Sequence, residues 1–209
     1  MTHAMGRRDS GELGWMSRFT MRASAAEYLS LPLRAHELLH DVRLYDVSVV
    51  GLPRGGSGRT LADVRALDGV ASPSAIATLI YRLRHFLGAM FGWDRRRIRP
   101  EESLLRRLSD GDWRKSEVPP GTPDGEFLVL YRFPAEELRE ILNATVHGFI
   151  CTALVSTPTD YRLYWGVYVR HVSWLTRPYL LVIEPFRWIL YPAMLRRIRR
   201  NWISSYGAA

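Results

Sequence analysis

Residues 175–206 constrain the fold more than any other stretch of the chain. LTRPYLLVIEPFRWILYPAMLRRIRRNWISSY reads as a terminal helical region in which Phe186, Ile189, Leu190, Ala193, Met194, Ile198 and Trp202 share one face. At about 1.5 Å per residue such a helix runs for roughly 50 Å, and an apolar stripe of that length needs a broad element to cover it. Pro178, Pro185 and Pro192 punctuate the region, and Arg196, Arg197, Arg199 and Arg200 stand near its end, where positive charge suits the helix dipole. Directly before it lies DYRLYWGVYVRHVS (160–173), dense in Tyr, Val and Trp and the strongest strand in the chain. A strand leading into a long one-sided helix predicts a sheet packed against that helix.

The remaining pattern supplies the other strands. Residues 24–40 form a helical segment broken or bent at Pro32, and LYDVSVVGL (44–52) alternates as a strand. After the loop PRGGSGR, Thr60 is placed to cap the helix TLADVRAL, and Ser72 with Pro73 opens a long helix over 72–93 with Ile76, Leu79, Ile80, Leu83, Phe86, Leu87 and Met90 on its buried face. Residues 93–125 are charged and turn-rich, with EESLLRRL as a brief helix, and EFLVLYRF (126–133) is a strand. The stretch PAEELREILNATVHGFICTALVS supports two readings. Leu138, Ile141, Leu142 and Val146 fit a helix, whereas ATVHGFICTALV suits a buried strand. The expected fold is α+β: a curved antiparallel sheet wrapped around a long C-terminal helix, with a cavity between them. Residues 1–22 lack sustained periodicity and are expected to form a flexible tail; 23–209 form one domain, and an apolar fraction of 47% is enough for its core.

Cys151 is the only cysteine, so no disulfide framework or cysteine zinc site is available, and its place in FICTALV marks a buried, inert thiol. The start MTHAMGRRDSGELGW carries no apolar run of secretory length, so the expected location is cytoplasmic. The net charge of +8 sits in separate arginine clusters at 94–100, 104–108 and 195–200. No nucleic-acid motif accompanies them, so they read as solvated surface, and no nucleic-acid partner is expected. A membrane-spanning helix over 174–195 is disfavoured by Arg177, Glu184 and Arg187; contact with an anionic membrane surface stays open, with aromatics as anchors.

Two motifs suggest catalysis or nucleotide binding and then fall short. In RAHELLHDVRLYD, His36, Glu37 and His40 stand in zinc-peptidase order, with Asp46 where a third ligand would be. Against this, Pro32 lies one turn before His36, Asp46 falls inside a strand, and Arg43 stands where a glycine would be needed for the turn. A zinc hydrolase is carried as an alternative, set against two polar histidines on a short surface helix. GLPRGGSGRT links strand to helix as a phosphate loop does, but Pro53 replaces the first glycine and Arg59 the lysine. It reads as a flexible turn.

The segments LYDVSVVGLP, EILNATVHGF, YRLYWGVYVR and LVIEPFRWILYPAMLRRIRR, together with the element order, resemble an uncharacterised bacterial family of the START-like helix-grip superfamily (SRPBCC) over roughly Ser30 to Tyr206. The resemblance implies a deep apolar cavity for a lipid, polyketide or aromatic molecule, held by a carrier or worked on by a cofactor-independent cyclase, lyase or isomerase. It transfers no catalytic set, and no cofactor or metal is expected. Polar groups facing such a cavity are the candidates. Alternation puts Leu44, Asp46, Ser48 and Val50 on one face of the first strand, and Tyr164, Tyr168 and Arg170 on one face of a later strand, opposite Trp165 and His171. Asp46 is a candidate for proton transfer, or for a buried ion pair with a cation such as Arg170. His147 is the second proton-transfer candidate, set against a satisfied core histidine. Ser48, Tyr164, Trp165, Tyr168, Arg170 and Glu184 are the candidate ligand-binding residues, with Glu184 placed to pair with Arg187 or to cap a helix beginning at Pro185.

Overall fold

The structure is a computed structural model and describes residues 23–68, 102–142, 146–172, 174 and 176–207. The expected tail at 1–22, the helix over 72–93 and the arginine cluster at 94–100 lie outside these residues. In chain order the elements are α1 (Ala25–Leu29), α2 (Arg34–Leu38), β1 (Arg43–Pro53), α3 (Leu61–Asp68), a 3-10 turn (Leu104–Arg107), α4 (Asp110–Lys115), β2 (Thr122–Asp124), β3 (Phe127–Arg132), β4 (Glu136–Leu142), β5 (His147–Ser156), β6 (Asp160–Arg170) and α5 (Thr176–Tyr206). The strands form one antiparallel sheet in the order β1-β6-β5-β4-β3-β2. Thus β2 to β6 make a meander, and β1 closes beside the last strand. The stretch from Glu136 to Leu142, readable as helix or strand, is a strand.

Local chemistry accounts for the short helices. Pro32 separates α1 from α2, as expected. The residue before α2, Leu33, has no capping side chain, and the first two helical amides, those of Arg34 and Ala35, donate instead to the distant carboxylate of Glu136 at 2.9 and 2.8 Å. Ser109 and Asp112 form a capping box at the start of α4. Burial would raise the Asp112 carboxyl, but the Arg34 guanidinium and the Ser109 amide and hydroxyl overcome it and hold the group below the usual carboxylate range.

Each face of the sheet carries its own core. On one face Tyr28, Ala35, Leu38 and Leu39 pack on Val47, Tyr131, Leu138, Phe149, Cys151, Tyr164 and Tyr168. Gly166 lets Tyr28 lie flat on the sheet, since a Cβ there would overlap the Tyr28 hydroxyl. On the other face Leu195, Ile198 and Trp202 of α5 pack with Leu61 and Val64 of α3 on Val50, Leu52, Leu154, Tyr161 and Leu163. Leu195 supplies this contact while Ala193, expected on the apolar face, is exposed. The helix runs unbroken through its three prolines, so no new helix begins at Pro185. Pro178 sits in the first turn, where an amide has no intrahelical acceptor. Pro185 and Pro192 leave the carbonyls of Leu181 and Trp188 without their usual partners, and these residues are 73% and 60% exposed, so water reaches them. Among the described residues no helix is long and apolar enough to cross a membrane.

Candidate functional site

The site begins with an irregularity in β1. The pairing with β6 shifts between Leu44 and Asp46, and this bulge places Tyr45 and Asp46, neighbours in sequence, both on the side of α5. Leu44 consequently packs in the core on the opposite face, which corrects the alternation expected for Leu44, Asp46, Ser48 and Val50.

Tyr45 donates its hydroxyl to Glu184 at 2.7 Å. Burial and this carboxylate raise the phenol, against the opposing pull of Arg187. One turn further along α5, Arg187 donates from Nη2 to Asp46 Oδ2 at 2.6 Å. Its guanidinium lies 4.4 Å from the Tyr45 ring centre and 5.6 Å from that of Tyr191. Arg187 is only 7% exposed, and its Nε and Nη1 are buried with no hydrogen-bond partner among the described residues. The pair therefore satisfies part of a cation that can donate five hydrogen bonds.

These side chains line a cleft of about 330 Å³ together with Ala23, Ala25, Leu44, Val47 and Trp188. Beyond it, Tyr191 lies 6.0 Å from Trp165, and the Arg139 guanidinium lies 5.3 Å from the same indole. The register aligns Ser48, Trp165, Thr152 and Glu137 in one cross-strand row facing the helix side. Trp165 Nε1 and Thr152 Oγ1 in that row are also buried without partners. Aromatic faces and donors without partners among the described residues meet on the α5 side of the sheet, and the cleft at the β1 edge adds apolar contacts from Ala23, Leu44 and Val47. Such a surface suits a flat or apolar molecule that carries hydrogen-bond acceptors.

Residues 38–194 match the model of a family described as proteins of unknown function, DUF2867. The chain belongs to the DUF2867 family. The matched span contains Tyr45, Asp46, Trp165, Glu184 and Arg187 and stops short of Leu195, Ile198 and Trp202. No curated protein and no solved structure matches the chain.

In this DUF2867 chain the sheet divides the residues singled out from sequence. Asp46, Ser48, Trp165 and Glu184 lie on the α5 side. Tyr164, Tyr168, Arg170 and His147 lie on the other. Asp46 pairs with Arg187 and not with Arg170, which reaches Asp41 at 2.8 Å. Glu184 meets the Tyr45 hydroxyl; it neither pairs with Arg187 nor caps a helix at Pro185. Tyr164 donates to Glu27 at 2.8 Å, and Tyr168 lies in the core beneath Tyr28. His147 is buried with Nε2 at 2.7 Å from Glu140. Sequence reading passed over Tyr45, Tyr191 and Glu140 and treated Arg187 as a partner for Glu184 and as a charge that disfavours a membrane span. The available clue was Arg187 itself, a charge between Phe186 and Trp188 in an apolar helix.

The motif residues are occupied locally. His36 Nδ1 contacts the Leu31 carbonyl at 3.0 Å and its ring stands edge-on to Tyr28, while His40 lies past the end of α2 with Nδ1 at 2.9 Å from the Glu37 carbonyl. Among the described residues no group of three or more His, Cys, Asp or Glu is placed to hold a metal. In the glycine-rich loop Arg54 donates to the Gly207 carbonyl, and Arg59 to the Gly55 carbonyl and Asp63. Cys151 is fully buried, and burial pushes its thiol far above the ordinary range.

Proposed function

We propose that this protein binds a small hydrophobic molecule bearing an anionic or other acceptor group, seated in the cleft beside α5 at the β1 edge of the sheet. The observation that carries the reading is Arg187: a buried guanidinium held by one carboxylate, with Nε and Nη1 lacking acceptors among the described residues, on the wall of a cleft lined by both charged and apolar side chains. The strand order and the C-terminal helix packed on one face support placing the fold in the START-like helix-grip class, where a ligand occupies the space between sheet and helix. In this reading Arg187 fixes the acceptor group, Tyr45, Tyr191 and Trp188 contact the apolar body, and Asp46 orients the guanidinium. Asp46 is also the group available for proton transfer should chemistry follow binding.

Titration calorimetry with 1-anilinonaphthalene-8-sulfonate, an aromatic anion, and its neutral parent N-phenylnaphthylamine tests this directly. Arg187→Met is expected to weaken the anion by about tenfold or more, equivalent to roughly 1.4 kcal/mol, and to leave the neutral compound within about twofold. Equal weakening of both, or of neither, would remove Arg187 from the binding site. Native mass spectrometry of freshly purified protein adds an independent readout, a co-purified molecule absent from the variant.

A second reading rests on a separate observation. Trp174, Leu181 and Trp188 are 80%, 73% and 60% exposed and recur every seven residues, and exposed Arg177, Arg196 and Arg200 accompany them along α5. A carrier that docks this helix on an anionic bilayer would use the aromatics as anchors and the arginines toward headgroups. Sedimentation with phosphatidylserine vesicles is expected to capture the protein at low salt and to lose about tenfold in affinity in Arg196→Ala/Arg200→Ala. Unchanged affinity, or equal affinity for phosphatidylcholine vesicles, would remove the membrane from the account.

A further inference from the structure

A second cleft, of about 470 Å³, opens on the opposite face of the sheet between the Leu104–Arg107 turn and the ends of β4, β5 and β6. His147 lines it and is 3% exposed, with Nε2 at 2.7 Å from Glu140 Oε1. Glu140 is wholly buried; Oε1 also accepts from the Leu104 amide at 3.0 Å, and Oε2 from the Ser103 hydroxyl at 2.5 Å. A carboxylate held in this way fixes the proton of a neutral imidazole on Nε2, and Nδ1 is the nitrogen that gains the second proton.

Around the ring stand Arg106, Arg107 and Arg170, with Glu102 on the same wall. Asp41 accepts two hydrogen bonds from Arg107, at 2.6 and 2.8 Å, and one from Arg170 at 2.8 Å, so one carboxylate is shared by two guanidiniums. Arg106 is exposed and has no ion-pair partner among the described residues. Counting Glu140 beneath the ring, three guanidiniums face three carboxylates. Protonation of His147 adds one positive charge to this cluster.

We propose that this cleft is a binding site for a small oxyanion, a phosphate-type or carboxylate group, and that its occupancy is coupled to protonation of His147. The arginines supply the direction of the field, and the imidazole sets its sign. An anion entering the cleft stabilises the charged ring, and the charged ring stabilises the anion, so uptake strengthens as the pH falls. This site shares no lining residue with the Arg187 cleft and does not depend on it.

The test is a titration of the full chain with sodium sulfate, which does not itself titrate between pH 5.5 and pH 8, and in parallel with sodium acetate. Sodium chloride holds the ionic strength constant, and the His147 ring is followed by NMR. Saturable displacement of the His147 resonances at pH 5.5, weakened by about tenfold or more at pH 8, is the expected result. Sulfate response assigns the phosphate class, acetate response the carboxylate class. Arg106→Ala, a change at an exposed side chain, is expected to weaken the response by at least about threefold, and His147→Gln, followed through the Leu104 amide resonance beside the cleft, to abolish the pH dependence of anion binding. No saturable response to either ion, equal affinity at both pH values, or an unchanged response in Arg106→Ala would overturn the proposal.

Discussion

Glu136→Ala is expected to destabilise the protein by about 3 to 5 kcal/mol, one of the largest losses available to a single substitution in this chain. Glu136 is 7% exposed, and its carboxylate accepts from the Arg34 amide, the Ala35 amide and the Tyr131 hydroxyl, the last at 2.6 Å. Alanine removes all three acceptor contacts at once and leaves two helix-start amides and a buried phenol unanswered, each worth roughly 1 to 3 kcal/mol where water cannot enter. Glu136→Gln keeps one oxygen but turns an amide N–H toward another donor, so an intermediate loss is expected. Urea unfolding measures the total. Native-state hydrogen exchange locates it, because the Arg34 and Ala35 amides should lose protection earlier than the β5 and β6 ladder. A total loss below about 1 kcal/mol would show that water replaces the carboxylate and that α2 is held by its apolar contacts alone.

The same carboxylates explain why β4 was ambiguous in sequence. Glu136, Glu137 and Glu140 are all buried, yet a pattern reading counts glutamate as outward, and the apolar positions Leu138, Ile141 and Leu142 then fall at helical spacing. Arg132, Tyr131 and His147 are nearby partners, but the others come from far along the chain: helix amides at 34 and 35, Ser103 and Leu104, and Arg65 on Glu137. Distant partners leave no local trace. By contrast β6 was legible from its density of Tyr, Val and Trp over eleven residues, and the C-terminal helix from the apolar positions Met194, Ile198 and Trp202 of its second half.

The candidate site was half legible for a related reason. Alternation put Asp46 and Ser48 on one face of the first strand and Trp165 opposite Tyr164, Tyr168 and Arg170 on a later one without matching the faces, and the bulge at Tyr45 has no sequence signature and reverses Leu44. The choice of Arg187 over Arg170 as the partner of Asp46 follows from which face α5 covers, a tertiary fact. Three-proline punctuation also suggested a broken helix. The helix continues because the two interior prolines free carbonyls on its solvent side.

The Asp46–Arg187 pair provides the second large effect and separates a structural role from a binding one. Asp46→Ala is expected to cost about 3 kcal/mol, because it leaves a guanidinium that is 7% exposed with no carboxylate at all. Arg187→Met should cost about 1 kcal/mol or less, since the thioether fills the space between Tyr45 and Tyr191 and the remaining Asp46, 26% exposed, is reached by water. The double variant Asp46→Leu/Arg187→Met is then expected to lie within about 1 kcal/mol of the native protein, giving a coupling energy of roughly 2 to 3 kcal/mol in a double-mutant cycle. A pair present only to hold the sheet against α5 would be dispensable in that double variant, which would retain ligand binding along with its stability. A pair that positions Arg187 for an acceptor-bearing ligand would be missed: the double variant should unfold near the native urea midpoint and still fail to distinguish anilinonaphthalene sulfonate from its neutral parent. Normal stability with selectivity for the anion lost is the combination that packing alone does not produce.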